Sequence, residues 1–232
     1  MMLAAIPALN EETAIGHVVL KAKRHVDTVI VIDDGSTDAT STIAQLAGAE
    51  VIRHDRNQGK GAALRHAFLR ARELHADILV CLDGDGQHDA DEIPRLLIPL
   101  NGGGADMVIG SRFLAIHSDI PLYRRAGLKV LTALTNSVAA TRVTDSQSGF
   151  RAFSKKAIDS LSLEENGIGI ESYMQRAASD AGLRIAEVPI TCRYDTGHAS
   201  KTGPVRHGFS VVNTLLKIVA GRCWCPASSP RP

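Results

Sequence analysis

The chain carries no surplus of charge of either sign. Its 26 basic and 25 acidic side chains leave a formal net charge of +1 over 232 residues. That argues against a general nucleic-acid-binding surface and leaves room only for a local basic patch. No run of about 18 apolar residues occurs, so no membrane-spanning helix is expected. The N-terminus lacks a basic stretch followed by an apolar signal region. The four cysteines, Cys81, Cys192, Cys223 and Cys225, form no CxxC pair, which argues against a structural zinc site. A reducing, cytosolic compartment follows, with Cys81 as a small core residue inside an apolar run. There is no internal repeat. Gly59-Lys60-Gly61 is too short for a P-loop. His54, His66, His75 and His88 show no metal-ligand spacing and are expected on the surface or with satisfied side chains.

What is present is the composition of a soluble globular protein, 44% hydrophobic and 22% charged, with enough chain to bury a sizeable core. Short β-branched or apolar runs at 2–6, 27–32, 50–53 and 77–82 read as strands. Helical stretches lie between them: one capped by Asn10 with Glu11 and Glu12 in its first turn, one capped by Asp38, and one over 62–74. This β-α-β-α-β-α-β order with short connections predicts a parallel sheet covered by helices. Further on, the pattern gives a helix at 91–100 interrupted near Pro94 and Pro99, and a strand at 105–109 followed by a loop at 114–122. A helix at 123–140 comes next, then a short strand entered through 145–151, helices at 154–161 and 168–181, and a strand at 184–193. A polar loop at 195–203 and an amphipathic helix at 208–220 precede a disordered tail from 221. One domain over 1–220 accounts for the whole.

Ligands of such sheets bind at the carboxyl ends of strands. Three strand ends hold the chemistry: Pro7 to Glu11, Asp33-Asp34, and Asp83 to Gln87. The last follows Ile78-Leu-Val-Cys-Leu82. If it stayed extended, Asp83, Asp85 and Gln87 would point the same way and offer three oxygen donors to one point. Hard divalent cations prefer such donors and share them with phosphates. The same residues also fit a strand ending in a solvated acidic turn.

Six stretches match one family in order and spacing. They are Ile6 to Glu12, Val31 to Asp38, Asn57 to Gly61, Asp83 to His88, Gly110-Ser111-Arg112-Phe113, and Asp145 to Phe153. On these the chain resembles the family-2 glycosyltransferases, and within them the dolichol-phosphate mannose or glucose synthase branch. The resemblance implies a GT-A type nucleotide-diphospho-sugar transferase fold, a Rossmann-like three-layer α/β/α sandwich with a mostly parallel sheet. Its nucleotide-binding half would cover about 1–110 and its acceptor-binding half about 111–220. Pro7, Leu9, Glu11, Ile32 and Asp34 match positions that hold the base and ribose. Asp83 and Asp85 match the DxD motif that binds metal, Mn²⁺ or Mg²⁺, and the diphosphate. Gln87 matches a further metal ligand. Lys60 and the Ser148-Gly149-Phe150 turn match substrate-binding stretches, and Arg112 and Arg124 match arginines that face an acceptor phosphate. The catalytic group is expected to be Asp85, Arg112 and Arg124.

The implied reaction is an inverting transfer of a hexose from a nucleotide-diphospho-sugar to a polyprenyl or dolichyl phosphate. GDP-mannose stands first as donor, with UDP-glucose or UDP-N-acetylglucosamine as alternatives. The Glu-Asp pair that supplies a base in many relatives acting on hydroxyls is missing, which favours an already ionised phosphate acceptor. A lipid acceptor implies peripheral contact with the cytoplasmic membrane face, or a separate membrane partner. The stripe of Leu128, Leu131, Leu134 and Val138 would then dock on lipid beside Arg124, Arg125 and Lys129, or else face the core. The same two readings hold for Phe209, Val212, Leu215, Leu216 and Val219. Ser200 and Lys201 are retained from a substrate-covering loop, but Asp195 and His198 depart from the branch and leave the sugar open. Two rivals exist. Asp83-Gly84-Asp85-Gly86 resembles the motif of haloacid-dehalogenase-type phosphatases, but Gln87 stands where Thr or Val is needed. A non-catalytic nucleotide-sugar-binding subunit is the other.

Overall fold

The computed structural model describes residues 1–114, 120–167, 169–193, 211–214 and 216. Seven strands form one sheet. They are β1 (Met2–Ala8), β2 (Thr28–Asp33), β3 (Glu50–Arg53), β4 (Ile78–Cys81), β5 (Met107–Ser111), β6 (Arg151–Ser154) and β7 (Ile185–Pro189). Their order is β3-β2-β1-β4-β6-β5-β7. Only β6 runs antiparallel to its neighbours. Helices α1 (Ile15–Ala22), α2 (Thr40–Leu46), α3 (Lys60–Glu73), α4 (Ile93–Asn101), α5 (Leu122–Val138), α6 (Lys155–Ser160) and α7 (Ile170–Asp180) complete the described elements, with a single 3-10 turn at Ala90–Glu92.

Alternate side chains of the central strands enter different cores. Leu3, Ala5, Ile30 and Ile32 pack with α3, α6 and α7 on one face. Ala4, Ile6, Val29 and Val31 pack with α1, α2 and α4 on the other. This is why the strands read as continuous apolar runs: a parallel sheet covered on both faces has no solvent side. The reversed direction of β6 matters for the site. Its first residue, Arg151, lies opposite Cys81 and Ile109. The turn that feeds β6, residues 145–150, is therefore brought to the same sheet edge as the ends of β1, β2 and β4.

Several expectations are corrected. Asn10 does not cap α1. It adopts φ of 53°, and its Oδ1 accepts the Thr37 backbone N–H at 2.8 Å, so it ties the β1 end to the β2 end instead. Glu11 and Glu12 precede α1 rather than opening it, and the Glu12 carboxylate accepts the Ala39 N–H at 3.0 Å. Helix α4 is not interrupted at either proline: Pro94 sits in its first turn, where no N–H is needed, and Pro99 lies within the helix. Strand β7 stops at Pro189, opposite Ser111, because its partner β5 ends there. The apolar stripe of α5 is divided. Leu131 is buried against Val211 with Val138 beside it, while Leu134 is exposed. Val212 and Leu216 are exposed too. Phe209, Leu215, Val219, the 195–203 loop with Ser200 and Lys201, and the tail lie outside the described residues.

Candidate active site

At the β2 end the two aspartates divide their work. Asp33 is fully buried. It accepts the Ser36 N–H at 2.8 Å and the Ser41 hydroxyl, so it builds the turn. Asp34 faces the next loop. Its Oδ1 accepts from His54 Nδ1 at 2.7 Å and from the Gln58 N–H at 2.8 Å, and its Oδ2 accepts from the Gly59 N–H at 2.8 Å. Asp34 thereby fixes the start of α3 and the position of Lys60, the first residue of that helix. Pro7, Leu9 and Glu11 line the adjacent β1 end, half-buried. Ile32 does not reach the site, for its side chain is wholly within the core.

The acidic turn differs from the extended arrangement. Strand β4 ends at Cys81, and Gly86 turns the chain with φ of 73°, a conformation that suits glycine. Asp85 Oδ1 accepts the Gln87 N–H at 3.0 Å, so the segment is a turn and not the extended strand that alternation would require. Lys60 Nζ bridges Asp83 Oδ1 and Glu171 Oε1, both at 2.6 Å. Burial alone would lower the Lys60 pKa, but the two carboxylates outweigh it and raise it. Burial likewise pushes Asp83 upward, yet Lys60, through its charge and its hydrogen bond, holds the carboxyl below the ordinary range. Asp85 is pushed up to about 6 by burial and by the neighbouring charge of Asp83. Gly149 has a steric reason to be glycine: a Cβ there would stand 2.5 Å from Asp83 Oδ2.

Among the described residues, no three His, Cys, Asp or Glu side chains form a ready-made metal cage. Two carboxylates and the Gln87 amide are nonetheless a fitting donor set for Mg²⁺ or Mn²⁺, which take part of their shell from water and substrate phosphate. The raised pKa of Asp85 marks a carboxylate that a cation would relieve.

Arg112 forms a forked pair with Asp145, Nε to Oδ2 at 2.6 Å and Nη2 to Oδ1 at 2.7 Å. Burial works to raise the Asp145 pKa, and the guanidinium overrides it. Arg112 is also near enough to lower Asp83. Arg124 lies half-buried in the first turn of α5. Ser148 is buried and its Oγ accepts the Phe150 N–H at 3.3 Å.

Four residues were not singled out from sequence. Arg151, fully buried, donates to the carbonyls of Ser146, Ser148 and Glu171 at 2.7–2.9 Å. It thus clamps the 146–149 turn to the first turn of α7. It lies inside a matched stretch, which was its only signal. Glu171 had none, because it is one acid in a predicted helix. The expectation for the histidines holds at His54, which is buried with its ring satisfied by Asp34 and His66, and fails at one position. His88 is buried against Phe150, with Nε2 4.0 Å from Asp83, and its Nδ1 has no partner among the described residues. Burial pushes the His88 pKa down to about 4, so the ring is neutral.

The family model for glycosyl transferase family 2 matches residues 4–162. The chain belongs to this family. It is 34% identical over 220 residues or more to relatives that include the UDP-N-acetylglucosamine–dolichyl-phosphate N-acetylglucosaminyltransferase of Methanococcus voltae, covering 94% of this chain and 95% of that one. The undecaprenyl-phosphate mannosyltransferase of Micrococcus luteus is 30% identical, covering 95% of each. Among solved structures, glucosyl-3-phosphoglycerate synthase of Mycobacterium tuberculosis, in complex with Mn²⁺, UDP and phosphoglyceric acid, superposes with a TM-score of 0.72 at 27% identity. It covers 98% of this chain and 80% of that one. The fold of this glycosyltransferase is therefore the GT-A type.

Proposed function

We propose that this glycosyltransferase moves a hexose from a nucleotide-diphospho-sugar to the phosphate of a polyprenyl or dolichyl lipid, with inversion at the anomeric carbon. Asp34 with Pro7, Leu9 and Glu11 receives the nucleoside. Asp83, Asp85 and Gln87 would hold Mn²⁺ or Mg²⁺, which supplies Lewis-acid stabilisation of the departing diphosphate. Lys60 places a permanent cation beside the same group. An ionised phosphate oxygen attacks the anomeric carbon directly, so no side chain needs to remove a proton. Arg112 and Arg124 supply positive charge on the acceptor side.

The observation that carries the acceptor class is α5. On the helix that bears Arg124, Leu122 is 83% exposed, Tyr123 65% and Val130 59%, next to exposed Arg125 and Lys129. Apolar side chains interleaved with cations suit the surface of an anionic bilayer. Among the described residues no helix is long and apolar enough to cross a membrane; the contact proposed for α5 is a peripheral one. The test is a purified-protein assay with Mn²⁺, polyprenyl phosphate and each of GDP-mannose, UDP-glucose and UDP-N-acetylglucosamine, read by mass spectrometry of the lipid phase. A hexosyl-phosphoryl lipid is expected with one donor. Transfer only to soluble hydroxyl acceptors would overturn the reading.

A further inference from the structure

We propose that His54 sets the base preference of the donor site. By holding Oδ1 of Asp34, it leaves that carboxylate one acceptor position, which fits the single imide N–H of uracil and not the paired N–H donors of guanine. This rests on the reading of Asp34 as the nucleoside-binding carboxylate.

A carboxylate offers roughly four acceptor positions on its two oxygens. On Asp34 three are filled: two on Oδ1, by His54 Nδ1 and the Gln58 N–H, and one on Oδ2, by the Gly59 N–H. The side chain is only 6% exposed, so a ligand meets a carboxylate with a single open position, on Oδ2. The pairing edge of uracil has one donor, N3–H, between two carbonyls. Guanine presents N1–H and N2–H side by side, and pairing both with a carboxylate requires both oxygens. With Oδ1 closed, one of those donors would be buried without a partner, which is the costly half of a hydrogen-bond exchange.

His54 is held in this role from behind. Its backbone N–H donates to the Asp33 carbonyl at 2.8 Å. Its Nε2 lies 2.6 Å from His66 Nδ1, with the two rings edge to face at 4.7 Å. Against a carboxylate, Nδ1 must be the donor, and one proton serves the contact between Nε2 and His66 Nδ1. The imidazole cannot rotate away without breaking both contacts. Gln58 and Gly59 bond through the backbone, so no side-chain change there opens Oδ1. Residue 54 is the position at which the acceptor count of Asp34 can be altered. GDP-mannose, the donor placed first by resemblance, fits this arrangement less well than a UDP-sugar.

The test is calorimetric titration of the full chain, with Mn²⁺, against UDP, GDP and N3-methyl-UDP. The shared diphosphate cancels, so the comparison reports the base. UDP is expected to bind about tenfold or more tightly than GDP, and N3-methylation to cost a similar factor, the size of one lost buried hydrogen bond. His54→Leu should bring the UDP:GDP ratio towards one, while His54→Asn, which keeps a donor near the Nδ1 position, should preserve it. A purely packing role for His54 would weaken both nucleotides equally. Equal or tighter binding of GDP to the wild type, or full affinity for N3-methyl-UDP, would overturn the base preference while leaving the nucleotide site standing. Binding of neither UDP nor GDP would remove the site itself, and the proposal with it. Should His54→Leu not fold, the three wild-type titrations decide alone.

Discussion

Lys60→Met is the sharpest probe of how the site is held. Methionine keeps much of the length and apolar body of lysine and deletes the charge. In the native protein Nζ lies 2.6 Å from carboxylates on two different elements, Asp83 after β4 and Glu171 on α7. Removing one partner of a buried ion pair costs about 3–5 kcal/mol, because the remaining charge stays desolvated and uncompensated. Here the two orphaned charges are unequal. The Glu171 side chain is 4% exposed and its Oε2 already lacks a hydrogen bond among the described residues. Asp83 is 26% exposed and part-screened by water. Glu171 therefore carries most of the penalty, and the lower end of the range, about 3 kcal/mol, is expected. In urea that is a midpoint shift of about 1 M for a slope near 3 kcal/mol per molar.

The pH dependence follows from the signs. In the wild type the Asp83 pKa lies below the ordinary carboxylate value. Its contribution is fully present above that ordinary value and is lost as pH falls through the folded value. The Lys60 pKa is raised, so its contribution persists at neutral pH and fails only above the ordinary lysine range, near 10.4. Without Lys60 the Asp83 carboxyl takes up a proton more readily in the folded state. The gap between variant and wild type should then be widest at pH 7 and narrow towards pH 4. A second substitution, Glu171→Gln, should recover at least half of the loss in the Lys60→Met background, because it removes the buried charge that the first left behind. Equilibrium urea unfolding at both pH values is the assay. A single variant within 1 kcal/mol of wild type at pH 7, or a double variant no more stable than the single, would refute the reasoning.

Asp85→Asn should abolish metal-dependent transfer and yet stabilise the metal-free protein at pH 7 by about 1–2 kcal/mol. A carboxyl whose folded pKa is raised opposes folding once ionised, and thermal melts alongside activity check both halves. Gly149→Ala should drive Asp83 away from Lys60, since the new methyl would stand 2.5 Å from Oδ2; loss of metal-dependent transfer and a stability loss of about 1–3 kcal/mol are expected from overpacking, by steady-state kinetics and urea unfolding. The glycolipid product should have inverted anomeric configuration, because a single displacement by a phosphate oxygen needs no covalent intermediate. Proton NMR of the product reads this, and retention would contradict direct attack.

How much of this was legible in the sequence depends on what kind of interaction fixed each residue. The order of strands was readable because both faces of a parallel sheet are apolar, so β1 to β4 stand out as uninterrupted runs between polar turns. Their carboxyl ends followed, and with them Asp34, Asp83 and Asp85. The antiparallel β6 could not be read from its own four residues, whose apolar pattern carries no direction. It is fixed by pairing with β4 and β5, far away in sequence, and that pairing delivers Gly149 to Asp83. The three charged groups that hold the site, Lys60, Arg151 and Glu171, meet only after the sheet has closed. Lys60 was marked by its matched stretch, but Arg151 and Glu171 alone read as ordinary turn and helix residues, and Glu171 lies 111 positions from Lys60. The histidines show the same limit from the other side. Metal-ligand spacing is a local pattern, and it carries no information on what His54 meets across the sheet. The geometry that matters for His54 is its distance to Asp34, twenty residues earlier. That distance is set by the parallel register of β2 and β3, in which Asp33 lies opposite Arg53, and each strand is followed at once by its functional residue. A register of one residue more or less would turn His54 to the other face of the sheet and leave Asp34 with both oxygens open. The discrimination between bases thus resides in a strand register, which no single stretch of the chain encodes.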